Sequence, residues 1–124
     1  MEGKKHAKLE RIEADVKSHI VCSNLNRVCI LHLLKVSKNQ EMQAEQMAYR
    51  LGLSHRTVLY HLDILHDYDL VEVRKFRKRG DKLMRSVWGL GRKSTHTDKI
   101  FKRICKDFNV NQLESMVNRN SVHQ

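Results

Sequence analysis

The stretch of sequence that decides the fold is LSHRTVLYHLDIL, residues 53–65, and YDLV follows closely at residues 68–71. Within the first stretch Val58, Leu62 and Leu65 recur at steps of four and three. This is the spacing of side chains that share one face of an α-helix. The stretch therefore predicts an amphipathic helix that buries one side against a core.

The chain just before this helix predicts a second, shorter helix and a tight turn. Apolar positions mark a helix over residues 44–51, and Gly52 stands where a helix end needs a left-handed backbone. Ser54 is the predicted N-cap of the longer helix, which we expect to run from His55 to about Asp67. Two short helices joined by a glycine turn are thus predicted.

Further upstream, two more helices are predicted. Residues 4–21 are amphipathic, with Ser23 or Asn24 as the N-cap of the next helix. Residues 25–36 are apolar around most of the circumference and should lie in the core. Glu41-Met42-Gln43 is too short to classify alone and stands where a short strand would fit the order.

Downstream, the composition changes to that of a β-hairpin and then back to helices. Residues 70–73 and 83–90 read as strands around a charged turn at 78–82. Asn111 with Glu114 resembles a capping box that opens a last short helix. The helix before it is marked by an apolar stripe of Ile100, Phe101, Ile104, Cys105 and Phe108.

Charge is concentrated on the predicted hairpin. The 124 residues have a formal net charge of +10, and between residues 74 and 93 nine Lys and Arg face a single Asp. Such a basic segment indicates a polyanionic partner, since like charges on a short hairpin repel and gain nothing structurally. We expect a cytoplasmic protein with reduced thiols, because the three cysteines form no CxxC pair and no secretory or membrane-spanning segment is visible.

The predicted order of helix, short strand, short helix, glycine turn, helix and basic hairpin is that of a winged helix. Residues 53–71 resemble the ArsR/MarR-type winged-helix transcriptional regulators, whose recognition helix commonly reads leucine-serine, two variable residues, threonine-valine-serine, one variable residue, histidine-leucine, two variable residues, leucine. The resemblance covers about residues 24–90 and implies a mainly α fold with a small β-hairpin. The compact, proline-free chain also resembles archaeal regulators. Two positions depart from the pattern: Leu59 replaces a serine and should pack inward rather than offer a methyl contact to thymine, and Asp69 replaces a glycine and should be left-handed.

The resemblance implies that the helix of residues 55–67 enters the major groove of double-stranded DNA. Arg56 can donate two hydrogen bonds to guanine, and a helix N-terminus suits a phosphate. A plain N-cap is an equal alternative for Ser54, and a half-buried histidine bonded to backbone is the weaker alternative for His61. The predicted DNA contacts of this helix are Ser54, His55, Arg56, Thr57, Tyr60 and His61.

The basic wing, at about residues 74–86, is expected to lie along phosphates or in the minor groove. Its predicted contacts are Arg74, Arg77, Lys78, Arg79, Lys82 and Arg85. Val71, Val73, Val87 and Trp88 should anchor the hairpin to the core, and base stacking by Trp88 is the less favoured alternative.

The resemblance also implies a homodimer built by terminal helices. We divide the chain into an N-terminal helix (1–22), a winged helix-turn-helix domain (23–91) and C-terminal helices (92–124). The predicted dimerisation residues are Leu9, Ile12, Val16 and Ile20 with Ile100, Phe101, Ile104 and Phe108. A two-fold dimer would match a pseudo-palindromic site.

The sequence thus predicts a sequence-specific, double-stranded DNA-binding transcriptional regulator without catalytic activity, cofactor or metal. His19 with Cys22, and Cys29 with His32, have the spacing of zinc ligands, but buried cysteines are the more common outcome. Three alternatives stay open: a protein-interaction module, an RNA-binding winged helix, and a metal- or ligand-responsive repressor.

Overall fold

The computed structural model describes residues 2–75, 87–92 and 96–117. Their order of elements confirms a winged helix-turn-helix with additional helices at both ends. In chain order the elements are α1 (Glu2–Cys22), α2 (Leu25–Val36), β1 (Glu41–Gln43), α3 (Ala44–Leu51), α4 (His55–Asp67), β2 (Val71–Lys75), β3 (Val87–Leu90), α5 (Thr97–Asp107) and α6 (Val110–Val117).

Helix α2 is the centre of the core, as its all-round apolar sequence predicts. Asn24 is its N-cap, and the Asn24 side chain accepts a hydrogen bond from the amide of Asn26 across 3.0 Å. Every residue from Val28 to Leu34 is buried. Helices α1, α3, α4 and α6 and the sheet all contact α2. A helix covered on all sides has no polar face, which explains the composition.

The sheet joins the hairpin to the chain in front of the helix-turn-helix. The strands lie in the order β1-β3-β2, and both pairs are antiparallel. Trp88 in the central strand lies opposite Met42 on one side and Val73 on the other. Two left-handed residues, Asn39 (φ 59°) and Gln40 (φ 55°), turn the chain into β1. Strand β3 is therefore paired on both sides.

Local chemistry at the ends of α3 and α4 is as predicted. Gly52 is left-handed with φ 67°, and the amide of Leu53 donates to the carbonyl of Ala48 across 2.9 Å. Asp69 is left-handed as well, with φ 60°, and the Leu70 amide returns to the last turn of α4. These two turns set the direction of α4 relative to α3 before it and to β2 after it.

The terminal helices complete the core of the single chain. Helix α1 packs against α5 and α2, and α6 packs against α2 and α3. Asn109, rather than Asn111, caps α6: its side-chain oxygen accepts from the amide of Asn111 across 2.9 Å. The predicted capping box is therefore wrong, and Glu114 instead meets the imidazole of His32, with Nε2 and Oε1 2.9 Å apart. Among the helices that the structure describes, none has the length and apolar character needed to cross a membrane.

Candidate nucleic-acid interface

Helix α4 has one buried side and one side open to solvent. Val58, Leu62 and Leu65 are fully buried against the core. On the opposite side Arg56, Tyr60 and Asp63 follow one another at steps of four and three, and all three are exposed. We call this set the outer face of α4. Tyr60 is 59% exposed although it is large and aromatic. Leu59 packs against the core, as expected for its departure from the serine of the family pattern.

The N-terminus of α4 is capped by its own side chains. The Ser54 hydroxyl accepts from the amide of Thr57 across 3.1 Å, and the two hydroxyl oxygens are 2.8 Å apart. Ser54 therefore acts as an N-cap. The amides of His55 and Arg56 lie in the first turn, where a helix has no carbonyl of its own to offer them. An anion can approach these two amides, because Ser54, His55 and Arg56 are exposed.

His61, predicted as a groove contact, lies on the buried side of the helix. It is 4% exposed, and its Nδ1 accepts from Nε of Arg27 across 3.3 Å. The same guanidinium donates through Nη1 to the carbonyl of Ile20 across 2.8 Å. Burial, and then the charge of Arg27, lower the pKa of His61. The position of this ring argues against the predicted groove contact, because the ring is buried and its Nδ1 is bonded to Arg27 of α2.

Arg74, predicted as a wing contact, is enclosed by the sheet. Its side chain is 8% exposed, with carboxylates of Glu41 at 3.6 Å and Glu72 at 3.8 Å. It donates to the carbonyl of Asn39 across 2.6 Å and to that of Leu90 across 3.0 Å. Two carbonyls and two carboxylates thus surround the guanidinium, and this arrangement argues against a phosphate contact. Arg74 connects the strands at the base of the wing.

The sheet leaves room for this arginine at Gly89. A Cβ atom at Gly89 would lie 2.2 Å from Nε of Arg74, closer than any real contact. No pattern in the sequence marks Arg74 as different from its basic neighbours, because its partners come from distant segments. The remaining predicted wing contacts, Arg77, Lys78, Arg79, Lys82 and Arg85, lie outside the described residues.

Three of the four residues predicted to anchor the hairpin pack into the core, whereas Val87 is only partly buried and is not among the side chains packed against the core. Trp88 is 8% exposed and Val71 is 1% exposed, and both belong to the core. The Trp88 ring meets that of His66 edge-on, with centroids 6.1 Å apart. Val73 packs against the same core. The packing role of Trp88 is thus confirmed.

The residues predicted for dimerisation are mostly buried on α5 but partly exposed on α1. Ile100, Phe101 and Ile104 of α5 are buried in the core of the same chain, so they are not available to a partner in this arrangement. On α1, Ile12 is 49% and Val16 is 45% exposed. Ile20 is partly buried and Phe108 packs at the edge of the core, while the Leu9 side chain lies outside the described residues.

The spaced histidines and cysteines do not come together as ligands. Within residues 12–74, 87–92 and 96–117, no group of three or more His, Cys, Asp and Glu side chains is placed to hold a metal ion. Cys29 is buried, and His32 is bonded to Glu114. Burial raises the pKa of Cys22, Arg103 opposes that shift, and Asp107 adds to it. A raised pKa leaves the thiol a weak nucleophile near neutral pH.

A family model described as a helix-turn-helix domain matches residues 24–74. The match begins at the N-cap of α2 and ends in β2, so it contains all of α3 and α4. No curated protein is similar enough to the chain to count as a relative. Together with the fold, the match supports a DNA-binding transcription regulator of the helix-turn-helix class.

Proposed function

We propose that this protein is a sequence-specific regulator that reads double-stranded DNA with α4 in the major groove. The observation that carries the proposal is the outer face of α4, where Arg56 and Tyr60 are exposed while the opposite side is locked into the core. A helix that enters a groove must be held from behind and project its N-terminal side chains forward. Helix α4 meets both conditions.

Individual contacts follow from exposure and chemistry. Arg56 is the proposed base reader, because a guanidinium can donate in parallel to O6 and N7 of guanine. His55 and Tyr60 can donate to base edges or phosphates. Ser54 and Thr57 border the free amides of the first turn, where we place a phosphate. The proposed phosphate or minor-groove contacts of the wing are Arg77, Lys78, Arg79, Lys82 and Arg85.

We further propose a homodimer that uses the exposed side of α1. Ile12 and Val16 are four residues apart, and both are about half exposed. By helical spacing, Leu9 continues this apolar stripe toward the N-terminus of α1. A second copy of α1 would bury this stripe and pair two recognition helices on one duplex. Light scattering on the variant Ile12→Ser with Val16→Ser should then report a smaller mass at equal concentration. Glu13→Ser, on the neighbouring surface of α1, is the matched control and should leave the mass unchanged.

The DNA-binding proposal is tested by fluorescence anisotropy with labelled duplex across a salt series. The wing variant replaces Arg77, Lys78 and Arg79 by Ala. The control variant removes the same charge from the exposed side of α5 by replacing Lys99, Lys102 and Lys106. Each phosphate contact contributes about 0.9 to the slope of log K against log salt. The wing variant should lose about two to three units of slope, and the control should keep the slope of the unmodified protein.

Base reading is tested on the duplex that the unmodified protein selects from a random pool. Arg56→Ala should bind that duplex and a scrambled one with nearly equal affinity. If the unmodified protein shows no salt-dependent binding to any duplex even at low ionic strength, the proposal is wrong. Binding to RNA in the same assay would then favour an RNA-binding winged helix, and binding that survives high salt would favour a protein partner.

A further inference from the structure

The outer face of α4 ends in a carboxylate. Asp63 is exposed and stands seven residues after Arg56. Successive residues of a helix are about 100° apart, so seven residues return to within about 20° of the same direction. Asp63 therefore points the same way as Arg56, opposite the buried Val58, Leu62 and Leu65. If α4 lies along the groove, Asp63 faces the bases on the same side as Arg56.

A carboxylate in that position can accept hydrogen bonds but cannot donate them. Phosphates repel it, so it cannot be one of the contacts that merely hold the helix on the backbone. In the major groove guanine offers O6 and N7 and thymine offers O4, all acceptors, whereas cytosine offers the N4 amine as a donor. Adenine has an N6 donor, but its N7 acceptor lies beside it. Cytosine is the base that fits Asp63 best.

The surroundings of Asp63 leave its charge available. Among the described residues none forms a hydrogen bond or an ion pair with Asp63, and Asp63 is exposed. Asp67, one turn further on, is also exposed. The outer face thus changes from a cation at its start to acids at its end, which lowers general attraction to DNA and makes the fit depend on sequence.

We propose that Asp63 is a specificity-determining residue that accepts a hydrogen bond from the N4 amine of a cytosine. The inference rests on the proposed function, since it assumes that α4 lies in the major groove. Asp63 is about 10 Å along the helix from Arg56, which corresponds to about three base-pair steps. The selected half-site should therefore contain a cytosine roughly three base pairs from the guanine that Arg56 reads.

The test measures affinity for all four base pairs at each position of the selected half-site. The variants are Asp63→Ala and Asp63→Asn, with Asp67→Asn as the matched control. Asp63→Ala should lose about fivefold or more of discrimination at one position, while the position that Arg56 reads keeps its preference. Asp63→Asn should shift the preference at that position from cytosine to adenine, because an amide pairs with N6 and N7. Asp67→Asn should keep the cytosine preference.

Each other result overturns the inference. If both Asp63 variants tighten binding to every duplex by one common factor, Asp63 only repels phosphates. If Arg56→Ala removes a base preference but the Asp63 variants remove none, the inference fails while the proposed function stands. If the unmodified protein binds no duplex, both fail. The variants at Arg56, Asp63 and Asp67 should unfold at the same temperature as the unmodified protein. A loss of binding in them is then not caused by a loss of the fold.

Discussion

The guanidinium of Arg74 allows a quantitative test of whether a basic residue at the wing supports the fold or binds DNA. In the variant Arg74→Met the side chain keeps its approximate length but loses its charge and all its donors. The carbonyls of Asn39 and Leu90 then lose this donor, and the carboxylates of Glu41 and Glu72 lose this neighbouring cation.

The expected loss of stability follows from these contacts. A hydrogen bond to a charged group contributes about 1.5–3 kcal/mol, and breaking a buried ion pair by removing one partner costs about 3–5 kcal/mol. The terms overlap, so we expect about 3–5 kcal/mol in the free energy of unfolding. With a urea m-value of about 1–3 kcal/mol/M, the midpoint of unfolding should fall by at least about 1 M.

Arg92→Met is the matched control. Arg92 also approaches Glu72, at 3.9 Å, but its side chain is 71% exposed. An exposed pair contributes about 0–1 kcal/mol, so its urea midpoint should move little. Under conditions where both variants are folded, Arg74→Met should keep the salt dependence of duplex binding. If Arg74→Met unfolds like Arg92→Met and instead reduces the salt slope by about one unit, the structural role is refuted and the residue is a phosphate contact.

Three further predictions concern single positions. Gly89→Ala should lower the free energy of unfolding by about 1–3 kcal/mol, because its Cβ would collide with the Arg74 side chain, and a double-mutant cycle should show a smaller loss in the Arg74→Ala background, which lacks the colliding atoms. Asp69→Gly should raise the thermal midpoint, with a gain of up to about 1 kcal/mol, because φ at this position is 60°; an unchanged or lower midpoint would contradict this. The folded-state pKa of His61 is lowered by burial and by Arg27, so the unfolded chain binds a proton that the folded one does not. Stability should fall as the pH drops below about 6.5, the ordinary histidine value, and His61→Gln should lose part of that pH dependence in urea unfolding at pH 7 and pH 5.

Most of the fold could be predicted because it depends on the spacing of apolar and capping residues that are close together in the sequence. The stripe of Val58, Leu62 and Leu65 gives α4 its buried side, and Gly52 and Ser54 give the turn before it. Each of these signals acts over a few residues, so the sequence shows it directly.

The errors concern partners that are distant in sequence. Arg74 looks like any other basic residue of the wing until Asn39, 35 residues earlier, supplies a carbonyl. His61 looks like a groove residue until Arg27 from α2 occupies its Nδ1. The apolar stripe of α5, with Ile100 and Ile104, shows that this helix is buried but not that its own chain buries it.

The pairing of β3 with β1 has a consequence for the order in which the molecule assembles. Met42 and Trp88 lie opposite each other although 46 residues separate them, and the whole helix-turn-helix lies between. Closing so long a loop costs entropy before the strand pair repays it, whereas helices form within about a microsecond. During synthesis on the ribosome, β1 has no strand to pair with until residues 87–90 emerge. We expect helices α1 to α4 to assemble before the angle between wing and recognition helix is established.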